Sequence, residues 1–182
     1  MTTKTAPAAA GVTASAGKEL LLTAASARIE AAEGKPATVS IVAYNGDLMR
    51  VPGYGAVVVD LGQLDISAQT VLLADHDASL RGIVGYGQAK ITGGQLTVEG
   101  RLSESTETGR QIIALARDGF EFEASVGVVP TELSRVAGGE SVEINGRTIT
   151  APDGGLAIVR AGRLREVSIL PPGRLHQRSL CA

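Results

Sequence analysis

The sequence predicts a mainly β protein: a closed or strongly curved antiparallel β-barrel with flanking helices, an α+β arrangement. Three observations carry this. Short Val-, Ile- and Leu-rich runs recur between Gly, Pro and Asn-Gly turn signals along most of the 182 residues. Only one stretch, 105–118, has clean helical periodicity. Aromatic residues are scarce, with two Phe, three Tyr and no Trp, so Val, Ile, Leu and Ala must fill the core. So many short strands would leave open edges prone to association, which favours closure.

The elements follow in order. Residues 1–18 are small, polar and aperiodic, as expected of a disordered leader. Residues 19–33 admit two readings. Leu20, Leu21, Leu22, Ala25, Ile29 and Ala32 can share one face of a short helix stopped by Gly34, or 19–25 can be a first strand. A β-rich run at 38–44 closes on Asn45-Gly46, and 55–61 and 70–74 are further short runs. Residues 82–92, Gly93-Gly94 and 95–102 form a hairpin. The amphipathic helix at 105–118 buries Ile112, Ile113, Leu115 and Ala116, with Ser103 or Ser105 as N-cap and Gly119 as its stop.

A strand at 120–129 is expected to end at Pro130. A second hairpin turns at Asn145-Gly146, as an excursion from the core. Residues 156–159 and 164–170 are the last two strands, before Pro171-Pro172-Gly173 and an aperiodic tail at 174–182. One domain, 19–173, holds all of them.

Composition narrows the function. Seventeen basic against nineteen acidic residues leave a formal charge of −2, with no Lys/Arg cluster, which disfavours nucleic-acid binding. The single cysteine, Cys181, allows no internal disulfide and no Cys/His metal spacing. No segment approaches the roughly 20 apolar residues of a membrane span, and the N-terminal stretch lacks an apolar signal core. A soluble, intracellular chain is expected.

Few residues can do nucleophilic chemistry. Of the two histidines, His76 ends the run Val71–Ala74 between Asp75 and Asp77, while His176 lies in the tail and is assigned no role. Nearby carboxylates at 75 and 77 would raise the imidazole pKa. Ser125 lies in a narrow strand, with Ala124 before it and Gly127 two residues on, so a substrate backbone can come close. Alternation puts Glu121, Glu123, Ser125 and Gly127 on one face, and Phe120, Phe122 and Ala124 on the other. Glu166 shares a face with Ser168, opposite Arg163, Arg165 and Val167. A base, a hydroxyl and an orienting acid on three strands would make a serine hydrolase. Locally, a surface histidine, a bonded strand serine and a solvent-facing Glu166 paired with Arg163 or Arg165 explain the same residues.

Taken in order, LLADHD, GIVGYGQAKITGGQLTVEGRL, DGFEFEASVGVVP and LREVSILPPG resemble the phage prohead (capsid maturation) protease family of serine peptidases. The resemblance spans about residues 38–173, with Glu123-Ala124 standing where the family commonly has Gly-x before its serine. It implies a fold similar to the herpesvirus assemblin protease. Ser125 would be the nucleophile, His76 the general base and Glu166 the orienting third member. Arg165, Arg163 and Gly127 would be oxyanion or substrate-binding candidates, with no metal and no cofactor. Implied substrates are the scaffold protein and the propeptide of the major capsid protein, with self-cleavage, in the host cytoplasm inside the assembling prohead. Homo-oligomer formation is an open option; nucleic-acid and membrane partners are not expected. The rival expectation is a non-catalytic scaffold or capsid-assembly module with the same fold, and a third is an unrelated binding barrel.

Overall fold

Val- and Ile-rich runs broken by glycine turns pair into twelve strands among the described residues, and seven of them close a barrel. The computed structural model describes residues 19–172. The expected leader, the tail, His176 and Cys181 lie outside the described residues. In chain order the strands are β1 (Leu20–Glu30), β2 (Thr38–Tyr44), β3 (Met49–Val51), β4 (Gly55–Val59), β5 (Leu64–Asp65), β6 (Thr70–Ala74), β7 (Ile83–Thr92) and β8 (Gln95–Leu102). Helix α1 (Glu107–Arg117) follows, then β9 (Phe122–Val136), β10 (Ser141–Ile144), β11 (Arg147–Thr150) and β12 (Leu156–Leu170).

The barrel runs β12-β6-β7-β8-β2-β1-β9 and closes where β9 pairs with β12. Strand direction cannot alternate all the way round a ring of seven, so one seam must be parallel. That seam is β6–β12, with Ser168 opposite Leu73 and Ile169 opposite Ala74. The other six are antiparallel. The expectation of an antiparallel barrel is corrected at that seam. It lays the C-terminal ends of β6 and β12 side by side, which becomes the basis of the site.

Inward positions alternate with outward ones. Leu20, Leu22, Ile41, Leu72, Leu96, Val98, Val126, Val167 and Ile169 fill the interior, each no more than 2% exposed. At roughly 1.5–3 kcal/mol for each large aliphatic side chain buried, this aromatic-poor interior is the main stabilising term.

Several expectations change. No helix forms at 19–33. The Leu20-Leu21-Leu22 run suits either period, and β1 is needed to bridge β2 and β9; a helix there would leave the barrel open. One α-helix is present among the described residues, and Thr106, not Ser103 or Ser105, caps it by accepting from the Gly109 amide at 3.1 Å. Gly119 ends the helix as expected, with φ of +86°.

Pro130 does not end its strand. It stands opposite Gly162 at a register break, where the missing N–H costs no regular ladder bond. For the same reason 156–159 and 164–170 join into one strand, β12, which bends at register breaks beside Ala161 and between Leu164 and Glu166.

The hairpin β10–β11 is a separate two-stranded sheet, as the Asn145-Gly146 turn suggests. Asn145 docks it to the barrel side. Its Oδ1 accepts from Leu61 N at 2.9 Å, and its Nδ2 donates to Val59 O at 2.8 Å and Gly46 O at 3.1 Å. No helix among the described residues is long and apolar enough to cross a membrane.

Candidate active site at the parallel seam

The β6 strand ends in a tight reversal. The Asp77 amide donates to the Ala74 carbonyl at 3.0 Å, and the two residues between, Asp75 and His76, have φ of +57° and +61°. This is the pattern of a type I′ turn, where Asn-Gly is usual. Each non-glycine residue held there costs on the order of 1–2 kcal/mol. The turn is held from β12. The Asp75 amide donates to Ile169 O at 3.2 Å, and the His76 amide donates to Ser168 Oγ at 3.1 Å.

The imidazole folds back over the same strand. His76 Nδ1 lies 2.9 Å from Glu166 Oε1, and Ser168 Oγ donates to Glu166 Oε2 at 2.6 Å. Glu166 is 4% exposed and Ser168 is fully buried. A carboxylate only accepts, so it draws the ring proton to Nδ1 and leaves Nε2 with its lone pair. His76 Nε2 is buried without a hydrogen-bond partner among the described residues. The expectation of a solvent-facing Glu166 paired with Arg163 or Arg165 is thereby overturned.

A bulge explains the placement. The register of β12 against β9 shifts between Leu164 and Glu166, so Leu164 faces the core while Arg165 and Glu166 both leave it. The expected separation of Glu166 from the arginine face is therefore corrected: Val167 points inward, and Arg165 lines the same outer cavity as Glu166. Arg165 Nη1 lies 3.5 Å from Glu19 Oε2, and Arg163 is exposed. Asp77 turns to its own loop, accepting from the amide and hydroxyl of Ser79 at 2.9 Å each. Chiefly the Ser79 amide holds its carboxyl below the usual range.

Ser125 arrives from β9. It pairs directly with Ser168 across the seam, and Gly127 pairs with Glu166, so all four residues share the outer face. Ala124, Val126 and Val128 point into the core. The expected alternation holds in β9, but the outer face is covered at this point: Ser125 is fully buried. Its Oγ has no hydrogen-bond partner among the described residues, and no bond links it to His76.

Gly127 has its own requirement. A β-carbon there would overlap Glu19 Oε1 and lie 2.9 Å from Glu166 Oε1. The glycine thus lets two carboxylates approach one point of β9. Beside it opens a cavity of about 260 Å³, lined by His76, Glu166, Glu19, Arg165, Val71 and Leu73 among others.

Of the five buried side-chain polar atoms without a partner among the described residues, four belong to Glu19, His76, Glu123 and Ser125. Unsatisfied buried polar groups are costly; Glu19 and His76 line the cavity, and Ser125 and Glu123 lie on the outer face of β9. The structure brings His76 and Glu166 into contact, sets Ser125 and Gly127 beside them on one face, places Arg165 at the rim and leaves Arg163 exposed. Sequence reasoning missed two members. Ser168 was legible as the i+2 neighbour of Glu166 on a strand, but its bond to the His76 turn was not. Glu19 carried no local signal, since only the closure of β1 onto β9 brings it there.

Chemically, the face offers an imidazole with one nitrogen tied to a carboxylate and, on the same side of the barrel, a serine hydroxyl; neither the other nitrogen nor the hydroxyl has a partner among the described residues. No protein-family model, curated protein or solved structure matches the chain significantly.

Proposed function

We propose that this chain is a serine endopeptidase of the phage prohead maturation type, with a barrel similar to that of the herpesvirus assemblin protease. The observation that carries the reading is the Glu166–His76 pair, with Nε2 free, on the same barrel face as the unbonded Ser125 hydroxyl. In this reading His76 Nε2 takes the Ser125 proton as Oγ attacks the scissile carbonyl. The imidazolium, steadied by Glu166, then protonates the leaving amine. Water, activated by the same nitrogen, hydrolyses the acyl-enzyme and restores the serine. Arg165 at the cavity rim is the better placed of the two arginines to steady the oxyanion. The substrates are the scaffold protein and the capsid-protein propeptide inside the immature shell in the host cytoplasm, with self-cleavage.

Ser125 is fully buried, so acylation requires the cleft to open over it. The same observation favours a second reading, a non-catalytic assembly module that has kept the constellation in closed form. One experiment separates them. A fluorophosphonate probe should label the wild-type chain at Ser125, and Ser125→Ala should abolish both labelling and cleavage of co-expressed scaffold without unfolding the barrel. Absence of labelling in the folded wild type overturns the protease reading, and cleavage retained by Ser125→Ala removes Ser125 as nucleophile.

A further inference from the structure

We infer that Ser168 is a positioning residue that locks His76 from both ends, an inference that deepens the protease reading and rests on it for its catalytic meaning. Four groups form a closed circuit. The His76 backbone N–H donates to Ser168 Oγ, the Ser168 hydroxyl donates to Glu166 Oε2, and the other oxygen of Glu166 meets His76 Nδ1. One histidine is therefore held through its backbone and through its ring by two residues of β12, a pleat apart.

The chemistry of the hydroxyl assigns it this role. Ser168 spends its only proton on Glu166 and accepts the amide proton of His76, so it has no proton to pass to Nε2 and cannot stand in for Ser125. It is fully buried and lies opposite Leu73 on one side and Ser125 on the other. The His76 amide it receives belongs to a turn whose two central residues both hold positive φ. Remove the hydroxyl, and the strained turn loses an anchor while Glu166 Oε2 loses its donor. The carboxylate keeps its contact with Nδ1 but loses the donor that fixes its orientation, so the Nδ1–H tautomer is held less firmly.

The test reads the imidazole directly. In the ¹⁵N-labelled 182-residue chain, with His176→Ala as the common background that removes the second histidine signal, the chain with Ser168 intact should show a protonated Nδ1 and a bare Nε2. Ser168→Ala, and the nearly isosteric but weakly donating Ser168→Cys, should both move the spectrum towards mixed tautomers. Ser168→Thr, which keeps the hydroxyl, should restore the wild-type pattern. The fluorophosphonate labelling rate at Ser125 should fall about 10–100-fold in the first two variants, recover in the third, and change in its dependence on pH. A wild-type tautomer pattern in folded Ser168→Ala or Ser168→Cys overturns the inference. A wild type that never reacts with the probe, while Ser168→Ala still scrambles the tautomer, sinks the protease reading and leaves the positioning role standing.

Discussion

Ser125 and Ser168 face each other directly across the β9–β12 seam, both fully buried, yet of the two only Ser168 has hydrogen-bond partners among the described residues. Two hydroxyls in one register row have thus been given opposite surroundings. Ser168 is saturated by an acceptor and a donor that belong to the histidine assembly. Ser125 Oγ has no partner among the described residues, the state that its proposed role as nucleophile requires.

Glu166→Gln should keep the fold and slow reaction at Ser125 by about three to four orders of magnitude. Glu166 accepts from both His76 and Ser168, whereas an amide can accept on its oxygen alone. One of the two donors must then turn away or meet an N–H. Probe labelling over time, with circular dichroism as the fold control, reads the effect; a wild-type rate would remove Glu166 from the machinery.

Gly127→Ala should be damaging although glycine's φ freedom is not in use there. The added methyl overlaps Glu19 Oε1 and crowds Glu166 Oε1, so one carboxylate must shift. A loss of about 1–3 kcal/mol in urea unfolding is expected, with slower Ser125 labelling. Gly154→Ala, where a β-carbon meets nothing within 4 Å, should change stability by no more than about 0.5 kcal/mol.

Asn145→Ala should release the β10–β11 hairpin from the barrel wall. The side chain satisfies Leu61 N, Val59 O and Gly46 O at once, from a residue with φ of +53°. Losing the three bonds should cost about 2–4 kcal/mol in thermal or urea unfolding. Asn145→Asp keeps the acceptor for Leu61 but neither donor, so it too should destabilise.

Alkali should weaken the fold through Tyr44. Burial is the main cause that pushes its hydroxyl from 10.0 up to about 12; the group donates to Asp47 O at 2.5 Å and accepts from Val59 N at 3.2 Å. The folded state holds this proton more tightly than the unfolded chain, so the contribution is complete below pH 10 and lost as pH rises towards 12. The loss over that window should be about 2–3 kcal/mol. Tyr44→Phe should start less stable at neutral pH and lose less between pH 10 and 12, as urea titrations along the pH scale would record.

By itself the amino-acid sequence determined the elements whose signal is local. The Gly93-Gly94 and Asn145-Gly146 hairpins, the helix stopped by Gly119 and the β-rich texture built on aliphatic residues all rest on turn geometry, capping and periodicity within a few residues. His76 stood out as one of only two histidines, whereas Ser125 and Glu166 stood out only through the order of the segments that carry them and the family those segments resemble.

Only the tertiary structure decided what those residues touch. Leu20-Leu21-Leu22 fits two periods, and it became a strand because the barrel closes through β1. Pro130 and Arg165 sit at register breaks, which depend on the partner strand and leave no mark in their own segment. The Ser168 bond to the His76 turn, and the approach of Glu19 to Gly127, join residues far apart in the chain. The physical reason is the odd ring of seven strands: its one parallel seam puts the β6 turn over the end of β12, and there the histidine met its carboxylate.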